Sequence, residues 1–509
     1  MAKKTQEAQG PPQGRRYVGT AETAGFIMFA AANDVRINPD GEWTDRILNI
    51  SKGTQALAKP ILTAWDIIND LFVAALVEKT RTRFGKFRPY LLLYPVYGLP
   101  MTLLTFILPY IFWQTDNTFM PKIIAWAAIS MFNELTGTLA EITRMGMVAN
   151  ITPEPQERLL LITKSKVLAI GSSLPKQIFK VLRDIISRNT VKTAIEVNMN
   201  LRALFTWMGA ITMVIAAGLS LYYAIVAKER VFDSHTEKEK PPTIRESLAA
   251  LKNNRPLLML MTSLVVDGFN IKGQLGTYVN SILNFSNFGT VFGIPGGLIS
   301  TPSYFYVKRL RERFSTKVLW IAAENITKPY QIAIYFFGMI RTKTPGRGNG
   351  LSRMYAHLWP MIFAYMIDDM IAMTLYGAKR VIPDEIRNEC IDYGEWKNGF
   401  RSEAMVGMIR GWPAKISNIF GSSVTDMIMQ MIGFQTGENY LRQTEKTANG
   451  IFAMATIVPA LTGMIALIPK FLYNISQKER EVMYAELAER RAATMSALGK
   501  VGEDEKAEG

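Results

Sequence analysis

Long apolar blocks separated by short charged turns set the pattern of this chain. Segments 57–77, 90–113, 123–149, 204–227, 257–285, 318–339, 358–376 and 451–473 are each long enough to cross a bilayer as a helix. Two more polar segments belong to the same series. Segment 17–33 carries Glu22, and segment 159–186 carries Lys164, Lys166, Lys176 and Lys180. Helices this polar are expected to line a cavity or the bundle interior rather than face lipid. At roughly 20 residues per span, the pattern predicts about twelve spans and an all-α polytopic membrane protein.

The turns are basic at 79–88, 228–255 and 308–317, and a charged tail follows the last block. Placing these on the cytoplasmic side puts both termini inside, with an even number of spans. Segments 183–202 and 341–353 are also basic and fall outside on this assignment. A water-filled vestibule would accommodate them. Val77-Glu-Lys-Thr-Arg-Thr-Arg-Phe84 lines up with Val307-Lys-Arg-Leu-Arg-Glu-Arg-Phe314, basic residues matching at the third, fifth and seventh positions. Basic turns alone would share such charges, but each octapeptide also follows the second span of its half. Two six-helix halves of the same topology, joined by a long linker, form the plan of major facilitator transporters. The expected division is a polar tail 1–16, an N-terminal half 17–227, a cytoplasmic linker 228–255, a C-terminal half 256–476 and a charged tail 477–509. No apolar run precedes Arg16, so no cleaved signal peptide is expected. The tail over 478–500 reads as a solvated or interfacial helix of mixed charge.

The 509 residues carry a formal net charge of +15. In a soluble chain that would point to nucleic acid. In a polytopic chain it is the positive-inside bias, and no nucleic-acid partner is expected. A single cysteine, Cys390, excludes an intrachain disulfide and a cysteine metal site. Two histidines, His235 and His357, argue against a histidine metal site or proton relay.

The chemistry concentrates in Trp65-Asp-Ile-Ile-Asn-Asp70. Asp66 and Asp70 are four apart inside an apolar run, so on a helix they share a face. Asn69 lies beside that face. Two carboxylates and an amide are hard oxygen ligands that suit a small hard cation. Without a metal, the like charges could instead share a proton. Asp66 and Asp70 are thus candidates for Na⁺, Li⁺ or H⁺, or a structural pair neutralised by lysines of a facing helix. Thr138 and Glu141 share a face of the fourth span. Thr138 could add a neutral oxygen to the cation site, and Glu141 could bind solute or cation. Arg144 is three residues on and could instead neutralise Glu141. Lys164 and Lys166 open the fifth span and could hold sugar hydroxyls or an anionic group. Lys176 and Lys180 nudge the reading toward an acidic substrate, although snorkelling also explains them. In the second half, Glu324 and Lys328 are at ion-pair spacing, Asp267 and Lys272 are a looser fit, and Asp368-Asp369 has no local partner. Lys397 heads a helix and could reach a neighbouring carboxylate.

Trp65-Asp-x-Ile-Asn-Asp70, Thr80-Arg-Thr-Arg-Phe-Gly-Lys-Phe-Arg-Pro89, Asp392-Tyr-Gly-Glu-Trp-Lys397 and Arg401-x-Glu403 together resemble the glycoside–pentoside–hexuronide:cation symporters, the melibiose-permease type. The resemblance runs from Tyr17 to about Arg491. It implies a major facilitator fold with alternating access, and solute uptake coupled to Na⁺, Li⁺ or H⁺. By resemblance, Asp66 and Asp70 are the paired cation carboxylates, with Asn69 and Thr138 as associated ligands. Glu141 falls where melibiose carriers place a sugar-binding aspartate, Lys166 where they place a sugar-site arginine, and Lys397 on the lysine of the family's loop motif. The chain departs from the type where Gly25 replaces a sugar-gripping aspartate. Arg144 and Met145 replace aromatic residues, and Leu71 replaces a proline. The cation machinery looks kept and the galactoside grip does not, so an acidic glycoside such as a uronide fits better than melibiose.

The leading expectation is a monomeric secondary symporter in the cell membrane, with no cofactor beyond the coupling ion. A carrier of a non-sugar anion or lipid-like solute, and a non-transporting sensor on the same scaffold, are the alternatives. A membrane enzyme is disfavoured, because no nucleophile–base–orienter set or nucleotide loop is evident.

Overall fold

The computed structural model describes residues 18–39, 41–80, 82, 87–113, 115–151, 161, 164–165, 170–189, 191–229, 254–300, 302–348, 350–398, 403–473, 475, 479–487 and 489. Their regular elements are helices; Arg341 and Arg353 form an isolated β-bridge, and Thr82 is also in a bridge. The chain divides into two compact units. One draws on Met1–Ser51, Ala64–Thr236 and Thr436–Glu438, the other on Lys52–Thr63, Glu237–Gln435 and Asn439–Gly509.

The first unit contains α1 (Thr20–Val35), most of α2 (Lys52–Lys79), α3 (Arg88–Ile111), α4 (Met120–Asn150), α5 (Leu174–Ser187) and α6 (Ala194–Val226). Pro95, Pro100 and Pro109 lie inside α3. Each removes a backbone hydrogen bond, which membrane helices tolerate because neighbours satisfy the freed groups. A capping box starts α6. The Thr193 hydroxyl accepts from the Glu196 amide at 3.3 Å, and the Glu196 carboxylate accepts from the Thr193 amide at 2.8 Å. Helix α1 packs closely on α6. Phe29 stacks on Tyr223 with ring centroids 5.0 Å apart. A Cβ at Gly25 would lie 2.7 Å from a Val226 methyl group. Gly25 is therefore an α1–α6 contact with no room for a side chain, a packing reason for the departure noted in the sequence.

The second unit contains α7 (Arg255–Gly268), α8 (Leu275–Tyr278) continued by a π-turn, α9 (Phe288–Ser300), α10 (Val307–Arg313), α11 (Thr316–Asn325), α12 (Lys328–Gly338), α13 (Leu358–Thr374), α14 (Tyr376–Asn398), α15 (Glu403–Met431), α16 (Glu445–Ala455), α17 (Ile457–Ile465) and α18 (Leu467–Leu472). Blocks 257–285 and 318–339, expected as single helices, are thus interrupted, whereas Glu445–Leu472 passes as one span with single-residue turns at Thr456 and Ala466. Pro329 opens α12 and cannot donate into the turn before it. α13 and the first part of α14, Tyr376–Pro383, meet at a 47° bend and together have the length and hydropathy of a span. Among the described residues, only three unbent helices pass as spans on length and hydropathy alone. Helices α7, α9, α11 and α12 are too short to pass, and in α2 the charges of Asp66 and Asp70 lie on the inner face.

The tail was expected to be a solvated or interfacial helix. Instead, helical segment 479–487 is docked, with Met483 and Leu487 buried in a core that includes Ile386, Cys390 and Tyr393 of α14. Trp396 Nε1 donates to Glu486 at 2.7 Å, Tyr393 donates to Glu479 at 3.3 Å, and Arg480 pairs with Glu389. The apolar pair at i and i+4 was hidden among charges in the sequence.

A buried polar clasp closes one end of the first unit. The π-turn Trp43–Ile47 follows Glu42, which accepts from Arg46 Nη1 at 2.9 Å and from Arg183 Nε at 2.8 Å. Arg46 also reaches Asn198 at 2.8 Å and Ser187 at 2.7 Å, and Arg183 reaches Asp184 at 3.0 Å. Burial by itself would raise the Glu42 pKa, but the charges and hydrogen bonds of Arg183 and Arg46 outweigh it and hold the carboxyl below its usual 4.5. A carboxylate with a depressed folded-state pKa stabilises the fold above its unfolded value, and that contribution fades as pH falls through the folded value. Glu42→Gln is expected to cost about 3 kcal/mol by stranding buried guanidinium charge. Thermal unfolding of the purified protein should show this loss undiminished above pH 4.5 and shrinking below it. A loss that does not vary with pH would remove the ionised clasp.

Candidate functional site

Helix α2 shows which way its two carboxylates face. Leu57, Ile61, Ile68, Phe72 and Leu76 are exposed and form one stripe at helical spacing, the stripe that meets lipid. Asn69, Val73 and Val77 are buried on the opposite side. At 100° per residue, Asp66 and Asp70 fall with this second group, half-buried and turned away from the lipid stripe.

Neighbouring helices fix the site. Trp65 Nε1 donates to the Met131 carbonyl at 2.9 Å, tying α2 to α4. Two turns further along α4, the Thr138 hydroxyl donates to Asp70 Oδ1 at 3.3 Å. Asn133 secures α4 to α3 by donating to Thr105 at 2.9 Å and accepting from Thr102 at 3.3 Å. Asn69 is 2% exposed, yet neither its amide oxygen nor its nitrogen has a hydrogen-bond partner among the described residues. A buried amide left unpaired is costly, and an oxygen in that position is available to a ligand. The arrangement sets the Thr138 hydroxyl on Asp70, with Asp66 and Asn69 within about one helical turn of it along α2. It suits a monovalent cation carried as cargo. No group of three or more His, Cys, Asp or Glu that could hold a metal occurs among the described residues.

The other expected residues fare differently. Glu141 and Arg144 lie on α4 beyond Thr138, but their side chains fall outside the described residues, as does Lys166 altogether. Lys164 is exposed. Lys397 is also exposed, and its ammonium sits 3.6 Å from the centroid of the Trp396 ring. Its observed partner is an aromatic face within its own motif.

The second unit gathers charges that spacing had paired differently. Glu324 pairs with Lys470 of α18, not with Lys328, and accepts from Trp320 Nε1 at 2.9 Å. Lys328 donates to the Pro459 carbonyl at 3.3 Å and lies in the field of Asp267, Lys379 and Lys470. These groups line a chamber of about 340 Å³ within this unit. Asp368 accepts from Gln331 at 3.3 Å, while its second oxygen has no partner among the described residues. The Asp369 carboxyl fills the space a Cβ at Gly296 would need. Asp426, 2% exposed, pairs with Lys52 at 3.8 Å and with Lys59. The sequence reading passed over Asp426 and Lys470. Each is a charge inside an apolar run, the same signal that picked out Asp66 and Asp70.

A family model described as MFS/sugar transport protein matches residues 43–477. The chain belongs to this family. Family members are multi-pass membrane transporters, not enzymes. The chain is 22% identical over 446 residues to the glucuronide carrier protein homolog of Escherichia coli, covering 87% of this chain and 88% of that one. It is also 22% identical over 463 residues to the isoprimeverose transporter of Lactiplantibacillus pentosus, covering 86% and 84%. Among solved structures, a bacterial homolog of the human lysosomal transporter Spinster shares the fold. Its TM-score is 0.53 at 11% identity, over 89% of this chain and 95% of that one.

In this MFS chain, Thr138→Val removes the hydroxyl that Asp70 accepts. The cation concentration for half-maximal uptake is expected to rise about tenfold, with Thr138→Ser near wild type. Unchanged cation dependence in Thr138→Val would take Thr138 out of the site.

Proposed function

We propose that this transporter carries a glycoside into the cell on a Na⁺ or H⁺ gradient, with the cation held by Asp66 and Asp70 and assisted by Asn69 and Thr138. The observation that carries this reading is the placement of both carboxylates on the inner face of α2, the Thr138 hydroxyl bonded to Asp70, and the neighbouring buried Asn69 amide oxygen without a partner among the described residues. Carboxylate, hydroxyl and amide oxygens are hard ligands, the kind that suits a small hard cation.

Cation and solute then favour the same arrangement of the transporter, so each raises the other's affinity by the same factor. Alternating access turns that linkage into coupled uptake. For the solute we favour an acidic sugar such as a uronide. A relative named for glucuronide and the lysines of the fifth span support this, with Glu141, Arg144 and Lys166 as candidate solute contacts. The isoprimeverose relative keeps neutral glycosides in the test panel. The basic turns favour an orientation with both termini in the cytoplasm.

Counterflow in proteoliposomes with labelled glucuronides and neutral glycosides, with and without Na⁺ and across pH, tests both parts. Asp66→Cys and Asp70→Cys are expected to abolish cation-stimulated uptake while solute exchange falls less. Undiminished cation stimulation in both variants would overturn the assignment of the pair.

A further inference from the structure

The second copy of the basic octapeptide, Val307–Phe314, has no part in the cation site. Most of the first copy's turn lies outside the described residues, so the second must be read alone. It ends in α10, where Arg311 and Arg313 occupy the last turn. Cations there favour the helix dipole, and that bland reading accounts for their presence. It does not account for a crevice of about 480 Å³ that they line with Lys317 of α11 and Arg480 of the tail helix.

Most of the charged residues lining the crevice are cations. Four cations face two carboxylates, Glu312 and Glu481. Arg480 is engaged by the buried Glu389 and donates to the Thr316 hydroxyl at 3.4 Å. Lys317 donates to the Phe471 carbonyl, which ties α11 to the end of α18 and leaves further ammonium donors. Arg313 is exposed and makes no hydrogen bond or ion pair among the described residues. Together these groups leave an unspent guanidinium and ammonium donors facing one polar volume, the geometry that receives a phosphate.

The surroundings decide what carries that phosphate. Phe314 and Val318 on one side, and Ile468, Phe471 and Leu472 on the other, are all exposed. The charged crevice thus continues into an apolar strip on α11 and α18. A soluble anion has no use for such a strip, whereas acyl chains do. Basic pockets at the cytoplasmic ends of membrane helices recognise anionic lipid headgroups in this way.

We propose that the crevice between α10, α11, α18 and the tail helix binds the phosphate of an anionic phospholipid, its chains lying along the apolar strip. This site is separate from the cation and solute sites and stands whichever solute is carried. Occupied, it holds the start of α11 and the docked tail at one lipid molecule.

The test uses the full-length protein, stripped of lipid in neutral detergent, with native mass spectrometry counting retained phospholipid. Phosphatidylglycerol is expected to bind and phosphatidylcholine not. Affinity for phosphatidylglycerol should fall about fivefold for each of Arg311→Gln and Arg313→Gln, and about 25-fold in the double variant. The double Arg→Lys variant should keep most of it. Equal retention by wild type and a double Gln variant of unchanged unfolding midpoint would overturn the proposal. A second arm needs no variant. Excess inorganic phosphate should fail to displace phosphatidylglycerol from wild type, and full displacement would make the crevice a free-anion site and reject the lipid.

Discussion

A charge inside a membrane helix has to be paired, hydrated or used, and this constraint shapes both units. In α2 it turns Asp66 and Asp70 to the face opposite Leu57, Ile61, Ile68, Phe72 and Leu76. The same rule places Asp426 against Lys52 and Lys59, and Glu324 against Lys470. Around Asp426 and Glu324 the opposite charge is already present. Beside Asp70 the structure offers the Thr138 hydroxyl, and one residue back along α2 the buried Asn69 amide, both neutral oxygen donors.

Away from hydrocarbon, charge does a different job. The Glu42–Arg46–Arg183 clasp is a closed network in which each carboxylate and guanidinium is met by several partners. Such a network fixes the short connection between α1 and α2, and thereby where α2 begins. The docked tail works similarly at the end of α14, where Tyr393 and Trp396 bond to Glu479 and Glu486. The Asp392–Lys397 motif has a structural role there. Its aromatic rings seat the tail, and its lysine rests on one of them.

Much of the fold was legible because the bilayer reduces folding to few choices. An apolar run of spanning length must be a helix, and a carboxylate within it stands out against its neighbours. That is why Asp66 and Asp70 were readable from spacing alone, and why Thr138 could be named as their partner across helices. Pairing among the second unit's charges was less readable. Glu324 and Lys328 have the ideal local spacing, yet Lys470 lies 146 residues away and takes the carboxylate. Local spacing measures reach along one helix, and it is silent on which other helix lies closer. Gly25 makes the same point. A missing aspartate reads as lost chemistry, while the packed α1–α6 contact shows a position with no space for any side chain.

The sequence by itself determined that this chain is a bundle of membrane helices, which helix carries the acidic pair, and that the pair shares one face. Those follow from helical periodicity and the cost of charge in oil, which operate along the chain. Only the tertiary structure decided that the face points inward, that Thr138 meets Asp70, that Asn69 finds no partner among the described residues, and that the tail closes a basic crevice with α10 and α11. Those depend on which helices lie side by side, and contacts between distant segments leave no periodic trace in the residues that make them.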